Sequence, residues 1–159
     1  MCDYSLESVK SRPAAVGDVL TTHDFGTGTI GFRSRSDRNV ENEATAVCVL
    51  PGTEMAFDAT VRLGWGFGTF EADVNGAKRT VGDAPAPNVR TATFLQVNAG
   101  NRHMNHDALE FADGSIVLLT QLAPRQHATV LTLPAKPETR KEETRQSRVA
   151  AYAWRILTA

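Results

Sequence analysis

Cysteine is scarce in this chain: Cys2 and Cys48 are the two present among 159 residues. Two cysteines cannot build a disulfide framework, nor a thiolate zinc site by themselves. The expectation is a reducing, cytoplasmic setting with Cys48 as a buried small hydrophobe inside an apolar strand pattern. Long apolar runs are missing too, with nothing near the ~18–20 residues a membrane span needs. Met1 to Lys10 has no apolar stretch, so no secretory signal is expected. Neither sign of charge dominates. The formal net charge is −1, so no whole-chain field draws the protein to nucleic acid or acidic lipid. Two catalytic signatures are absent as well, the helical His-Glu-x-x-His of zincins and the Gly-x-Ser-x-Gly elbow. Removal of Met1 would expose Cys2 as an N-terminal nucleophile, but Cys2-Asp3-Tyr4 lacks the Cys-Gly opening of that class. Cys2, Tyr4 and Leu6 read more simply as alternating residues of an edge strand.

What is present is strand. Hydrophobic residues make up 42% and charged residues 22% of the chain, the balance of a folded globular domain with a real core. Short runs rich in β-branched and aromatic residues cover Gly17 to Thr22, Ala44 to Leu50, Glu54 to Leu63, Thr91 to Val97, Ala108 to Phe111, Ile116 to Leu122 and His127 to Leu133. Turn residues separate them. Asn75-Gly76 predicts a two-residue hairpin that pairs Asp73 with Lys78 and Phe70 with Val81. Pro51-Gly52 and Asp113-Gly114 mark further turns, and Gly82 to Asn88 a proline-bearing loop. Arg33 to Glu43 is a polar tip, read as a solvated hairpin loop; a phosphate contact by Arg33, Arg35 and Arg38 is its alternative. Asp58, Glu71 and Asp73 read as solvent-face residues, not a catalytic pair.

Phe25 to Phe32 and Gly64 to Phe70 both alternate glycine with large groups. Neither is a phosphate loop, because no lysine follows and no helix opens. Strand alternation puts Gly64, Gly66 and Gly68 on the face of Phe70, Ala72, Val74 and Val81. Trp65 and Phe67 then point outward, where a bulge, a covering helix or a partner must account for them.

Histidines gather near one end: His103, His106 and His127, beside Asp107 and Glu110. If Asp113-Gly114 is a two-residue turn, Phe111 opposes Ile116, Leu109 opposes Leu118 and Asp107 opposes Thr120. A loop over Ala123 to Gln126 then sets His127 against Leu122 and Leu131 against Leu118. One core face results: Leu109, Phe111, Ile116, Leu118, Leu131 and Leu133. His103, Asp107 and His127 share its far end, while His106 and Glu110 lie on the opposite side. The spacing departs from a cupin metal motif, which has two histidines one residue apart.

Beyond Leu133 the pattern changes. Pro134 and Pro137 break the sheet, and Glu138 to Leu157 reads as a helix with opposite charges at i,i+3. Val149, Tyr152, Trp154, Ile156 and Leu157 form its apolar stripe.

The expected fold is mainly β: an antiparallel β-barrel or sandwich of about eight to ten strands over residues 1–133, with a linker and C-terminal α-helix over 134–159. Two functions stay open. One is a non-enzymatic binding or accessory protein that meets a protein partner or a second copy through Trp65, Phe67, Tyr152, Trp154 and Leu157. The other is a metal-binding protein or metal-dependent enzyme in which His103, His106, His127 and Asp107 hold a divalent transition metal. The first is favoured, because the register disperses the histidines. A membrane or nucleic-acid partner is not expected.

Overall fold

A computed structural model describes residues 10–26, 29–35, 45–64, 68–101 and 104–134. Eleven strands make up about half of it: β1 (Ser11–Pro13), β2 (Val19–Asp24), β3 (Ile30–Ser34), β4 (Ala46–Cys48), β5 (Glu54–Phe57), β6 (Phe70–Val74), β7 (Ala77–Val81), β8 (Thr91–Gln96), β9 (Asp107–Phe111), β10 (Ile116–Leu118) and β11 (His127–Thr132). A single 3-10 turn, Leu119–Gln121, follows β10. There is no α-helix among the described residues, and the helix expected over 138–157 lies outside them. The mainly β expectation holds. The barrel does not, because the nine-stranded sheet is an open array ordered β3-β2-β11-β5-β8-β9-β10-β7-β6. Nor is it purely antiparallel, since β10 meets β7 in parallel at Ile116↔Val81. A separate two-stranded parallel sheet joins β1 to β4.

Local turn chemistry explains the hairpin that the sequence foretold. Asn75 and Gly76 both take positive φ (51° and 86°), the type I′ geometry that matches strand twist. The register is the expected one, Phe70↔Val81 and Asp73↔Lys78. The Asp113-Gly114 turn came out differently. Phe111 N donates to Ser115 O at 2.8 Å, and Gly114 N to Phe111 O at 2.9 Å. The loop is therefore three residues, Ala112 to Gly114, with Gly114 at φ 88°, a turn followed by a glycine bulge. The ladder slips by one residue to Ile116↔Glu110, Val117↔Leu109 and Leu118↔Ala108. Such a slip sends every side chain to the other face.

The expected single core face is thus two. Leu109, Phe111 and Val117 join Leu20, Phe32, Met55, Phe57 and Phe94, together with Ala46, Val47 and Val49 around β4. Ile116 and Leu118 face the other way, with Ala72, Val74, Val81, Val97 and Ala108. The sheet buries opposite faces at its two ends, and β9–β10 is buried on both. Leu131 and Leu133, expected in the core, are 43% and 42% exposed. The reason is pairing: β11 meets β2 and β5, not β10.

Buried polar side chains stitch the loops to this frame. Gln126 Nε2 donates to Arg62 O (2.8 Å), and its Oε1 accepts from Arg62 N (2.7 Å). It satisfies the Arg62 N–H and shares Arg62 O with Ala123 N, which also donates to it at 3.0 Å. Gln121, fully buried, accepts from Leu118 N and donates to Gly68 O. Cys48 departs from expectation. It is half-buried and disulfide-bonded, not a free thiol acting as a hydrophobe. The other cysteine, Cys2, lies outside the described residues. Disulfides persist in oxidising surroundings, so the reducing, cytoplasmic expectation finds no support here. No helix of the described residues is long and apolar enough to cross a membrane.

The glycine-rich segment supplies a close backbone approach. A Cβ at Gly82 (φ +114°) would stand 2.7 Å from Gly68 O, whereas one at Gly76 (φ +86°) would meet nothing within 4 Å. Gly76→Ala should cost about 1 kcal/mol from backbone strain alone. Gly82→Ala adds a backbone clash and should cost about 3 kcal/mol or more. Urea unfolding of the two variants checks the contrast, and equal losses would mean that the Gly68–Gly82 approach is not tight in solution.

Candidate functional site

The histidine end does not assemble as one site. His106 Nδ1 donates to Val97 O at 2.9 Å, which fixes its tautomer because a carbonyl can only accept. Asp107, only 3% exposed, accepts from Gln96 Nε2 at 3.4 Å. Both sit where β8 ends and β9 begins. His127 starts β11, level with Thr21 and, through Asp58 N, with the residue after β5. Following the registers across β5 and β8, His127 and Asp107 are about seven residues apart along the strands, roughly 20 Å, and three strands apart laterally. Among the described residues no group of three or more His, Cys, Asp or Glu could hold a metal ion. His103 is outside the described residues, as are Trp65, Phe67, Tyr152, Trp154 and Leu157.

The site that geometry does build lies on the outward face of β11, β5, β8 and β9. Alternation turns Met55, Phe94 and Leu109 into the core, so Glu54, Thr93 and Glu110 point outward as one cross-strand row. A bulge in β11 between Val130↔Met55 and Thr132↔Glu54 leaves Leu131 without a partner and sets it beside Glu54. Thr91, Ala112 and Gly114 complete an open groove of ≈ 590 Å³.

Its electrostatics are uneven. Arg79 binds Glu110 and also donates to Gly114 O, so Glu110 arrives neutralised. Glu54 is exposed and has no ion pair among the described residues. The floor offers hydroxyls from Thr91 and Thr93, and the wall an apolar Leu131. Glu54 and Glu110 stand roughly 10 Å apart at the backbone, with Thr93 between them. That arrangement can hold a ligand bearing a cation beside an apolar group. Two carboxylates sharing one proton would need closer contact. Sequence reasoning put Glu110 beside His106 and passed over Glu54, Thr91, Thr93 and Leu131. Thr91-Ala92-Thr93 carries the period-2 signal of an outward polar row, but which strands flank it is not written locally.

The rim is pinned by Asp113. Its carboxylate accepts from Ala86 N (2.9 Å) and Ser115 N (3.0 Å). Those bonds, Ala86 first, hold its pKa below the ordinary 3.8. A depressed carboxyl pKa gives stability that is in place above the unfolded value and is lost as pH falls below it. Asp113→Asn should therefore be less stable than the native chain near neutral pH, with the gap closing as pH drops below 3.8. Thermal unfolding across pH reads this directly, and a gap independent of pH would remove the charge from the account. In comparisons with known proteins, no family model, no curated protein and no solved structure matches the chain.

Proposed function

We propose that the protein is a small non-enzymatic binding or accessory protein that self-associates, the chain beyond Pro134 of one copy meeting the outer groove of another. The observation that supports it is the groove: an exposed leucine at a bulge, next to a carboxylate that has no ion pair among the described residues. Residues 136–159 contain six basic and three acidic residues together with Val149, Tyr152, Trp154, Ile156 and Leu157. A basic, apolar segment complements Glu54 and Leu131 in both charge and surface type. In sequence the segment follows β11, which ends at Thr132 and carries Leu131 of the groove wall. Trp65 and Phe67 extend the contact in this reading. A sandwich-like seat of β1–β4 on the main sheet, closed by a helix over 138–157, is the architecture that goes with it.

The metal reading stands second. It needs His103 to join ligands that lie at two ends of the sheet, since a metal–nitrogen bond is only ~2.0–2.1 Å long.

Light scattering on the full chain, on a chain ending at Pro137 and on full-length Leu131→Arg tests the proposal. The full chain should size as a dimer, and both variants as monomers. A full chain that is monomeric at high micromolar concentration would overturn self-association. Metal analysis of the same untagged protein should find no stoichiometric metal. Near-stoichiometric zinc, iron or copper, lost in a His103→Ala/His127→Ala variant, would turn the conclusion to the metal reading.

A further inference from the structure

A second row on the same outward face is unused by the groove. Arg33 on β3, Thr21 on β2 and His127 on β11 are direct cross-strand neighbours in that order. Thr21 and His127 share a hydrogen bond, Oγ1 to Nδ1, at 2.9 Å. Thr21 is 4% exposed, so its hydroxyl is too enclosed to act as a nucleophile on an incoming substrate. Arg33 is half-buried, its Nε is buried, and among the described residues that N–H finds no hydrogen-bond partner. No carboxylate among the described residues pairs with Arg33 or His127. Asp58 is the acidic residue nearest in register, and its recorded link to His127 is through its backbone N–H. Arg35, exposed, continues the basic edge at the end of β3.

A buried guanidinium N–H without an acceptor is rare, and an unoccupied ion site is one of its ordinary explanations. Arginine presents a fork that fits the oxygens of a carboxylate or phosphate. When the Thr21 hydroxyl donates to Nδ1 of neutral His127, the ring proton must sit on Nε2, which becomes a second donor. Arg33 and His127 flank Thr21 from either side, roughly 10 Å apart at the backbone, a span that their side chains can close around a small anion.

We propose that Arg33 and His127 form a binding site for an oxyanion, a phosphoryl group or a carboxylate, with Thr21 as the positioning residue that sets the imidazole tautomer. The site does not depend on the groove or on self-association. It gives structural content to the basic stretch that opens at Arg33.

The test is an NMR titration of the full chain at constant ionic strength, with inorganic phosphate in one arm and acetate in the other. The His127 ring nitrogens and the Arg33 Nε–H are the reporters. Saturable shifts at both groups are expected in at least one arm. Saturation by phosphate alone assigns a phosphoryl ligand, and saturation by both admits carboxylates. Arg33→Ala should weaken binding about tenfold or more, while Arg33→Lys, which keeps the charge but not the fork, should weaken it less. Thr21→Val should change the His127 tautomer ratio seen in its ring nitrogen shifts, which a merely structural role would not do. No saturable shift at His127 or Arg33 in either arm overturns the proposal. So does an Arg33→Ala or, should that variant not fold, an Arg33→Lys chain that binds as tightly as the native one.

Discussion

The fold turns on the burial of β9 and β10 from both sides. Asp107, Ala108, Leu109 and Phe111 are buried, and so are Ile116, Val117 and Leu118 in succession. A strand with one solvated face would alternate. Here Leu109, Phe111 and Val117 serve the larger core, and Ala108, Ile116 and Leu118 the smaller. On the β3 side of this pair, Leu20, Phe32, Met55 and Phe94 serve the larger core; on the β6 side, Ala72, Val74 and Val81 serve the smaller. The three-residue loop at Ala112 to Gly114 fixes which residue goes where. One residue fewer would exchange Ile116 and Leu118 for Val117 and leave the hairpin β6–β7 without an apolar floor. The loop is anchored accordingly, by Asp113 to the backbone of Ala86 and by Arg79 to Gly114 O.

That dependence explains how much could be read in advance. Asn75-Gly76 states its register locally, because positive φ at two consecutive residues admits little besides a type I′ turn. Asp113-Gly114 does not. Its glycine serves equally well in a two-residue turn or at the bulge that ends a three-residue one. Hydrophobicity could not arbitrate, since Ile116, Val117 and Leu118 are all apolar. Most strands were legible from their β-branched runs, though β1 at Ser11–Pro13 was not, and the exposure of Asp58, Glu71 and Asp73 from their polarity. Strand partners across long sequence distances were not. Nothing near His127 says that β11 will pass between β2 and β5. Nothing near Gln126 says that its amide will satisfy the backbone of Arg62. The glycines around Trp65 read only as one face of an alternating strand; the close approach of Gly68 O to Gln121 and Gly82 appears in the structure alone.

Both candidate binding regions follow from the placement of β11, a strand whose bounds the sequence showed but whose partners it did not. His127 at its start completes the basic row with Thr21 and Arg33. Leu131 near its end forms the wall of the groove beside Glu54. Between them lies a row of small side chains, Val19, Thr129, Ala56 and Thr91. The outward face thus has a cationic end and a carboxylate end, separated by roughly 13 Å of low relief. Without the bulge the register would continue as Leu131↔Glu54 and Thr132↔Thr53, with Leu131 in a ladder position. The bulge lets Leu131 stand clear of the ladder while Thr132 keeps its pairing with Glu54. On the solvent side that irregularity changes what a ligand or a second chain would meet.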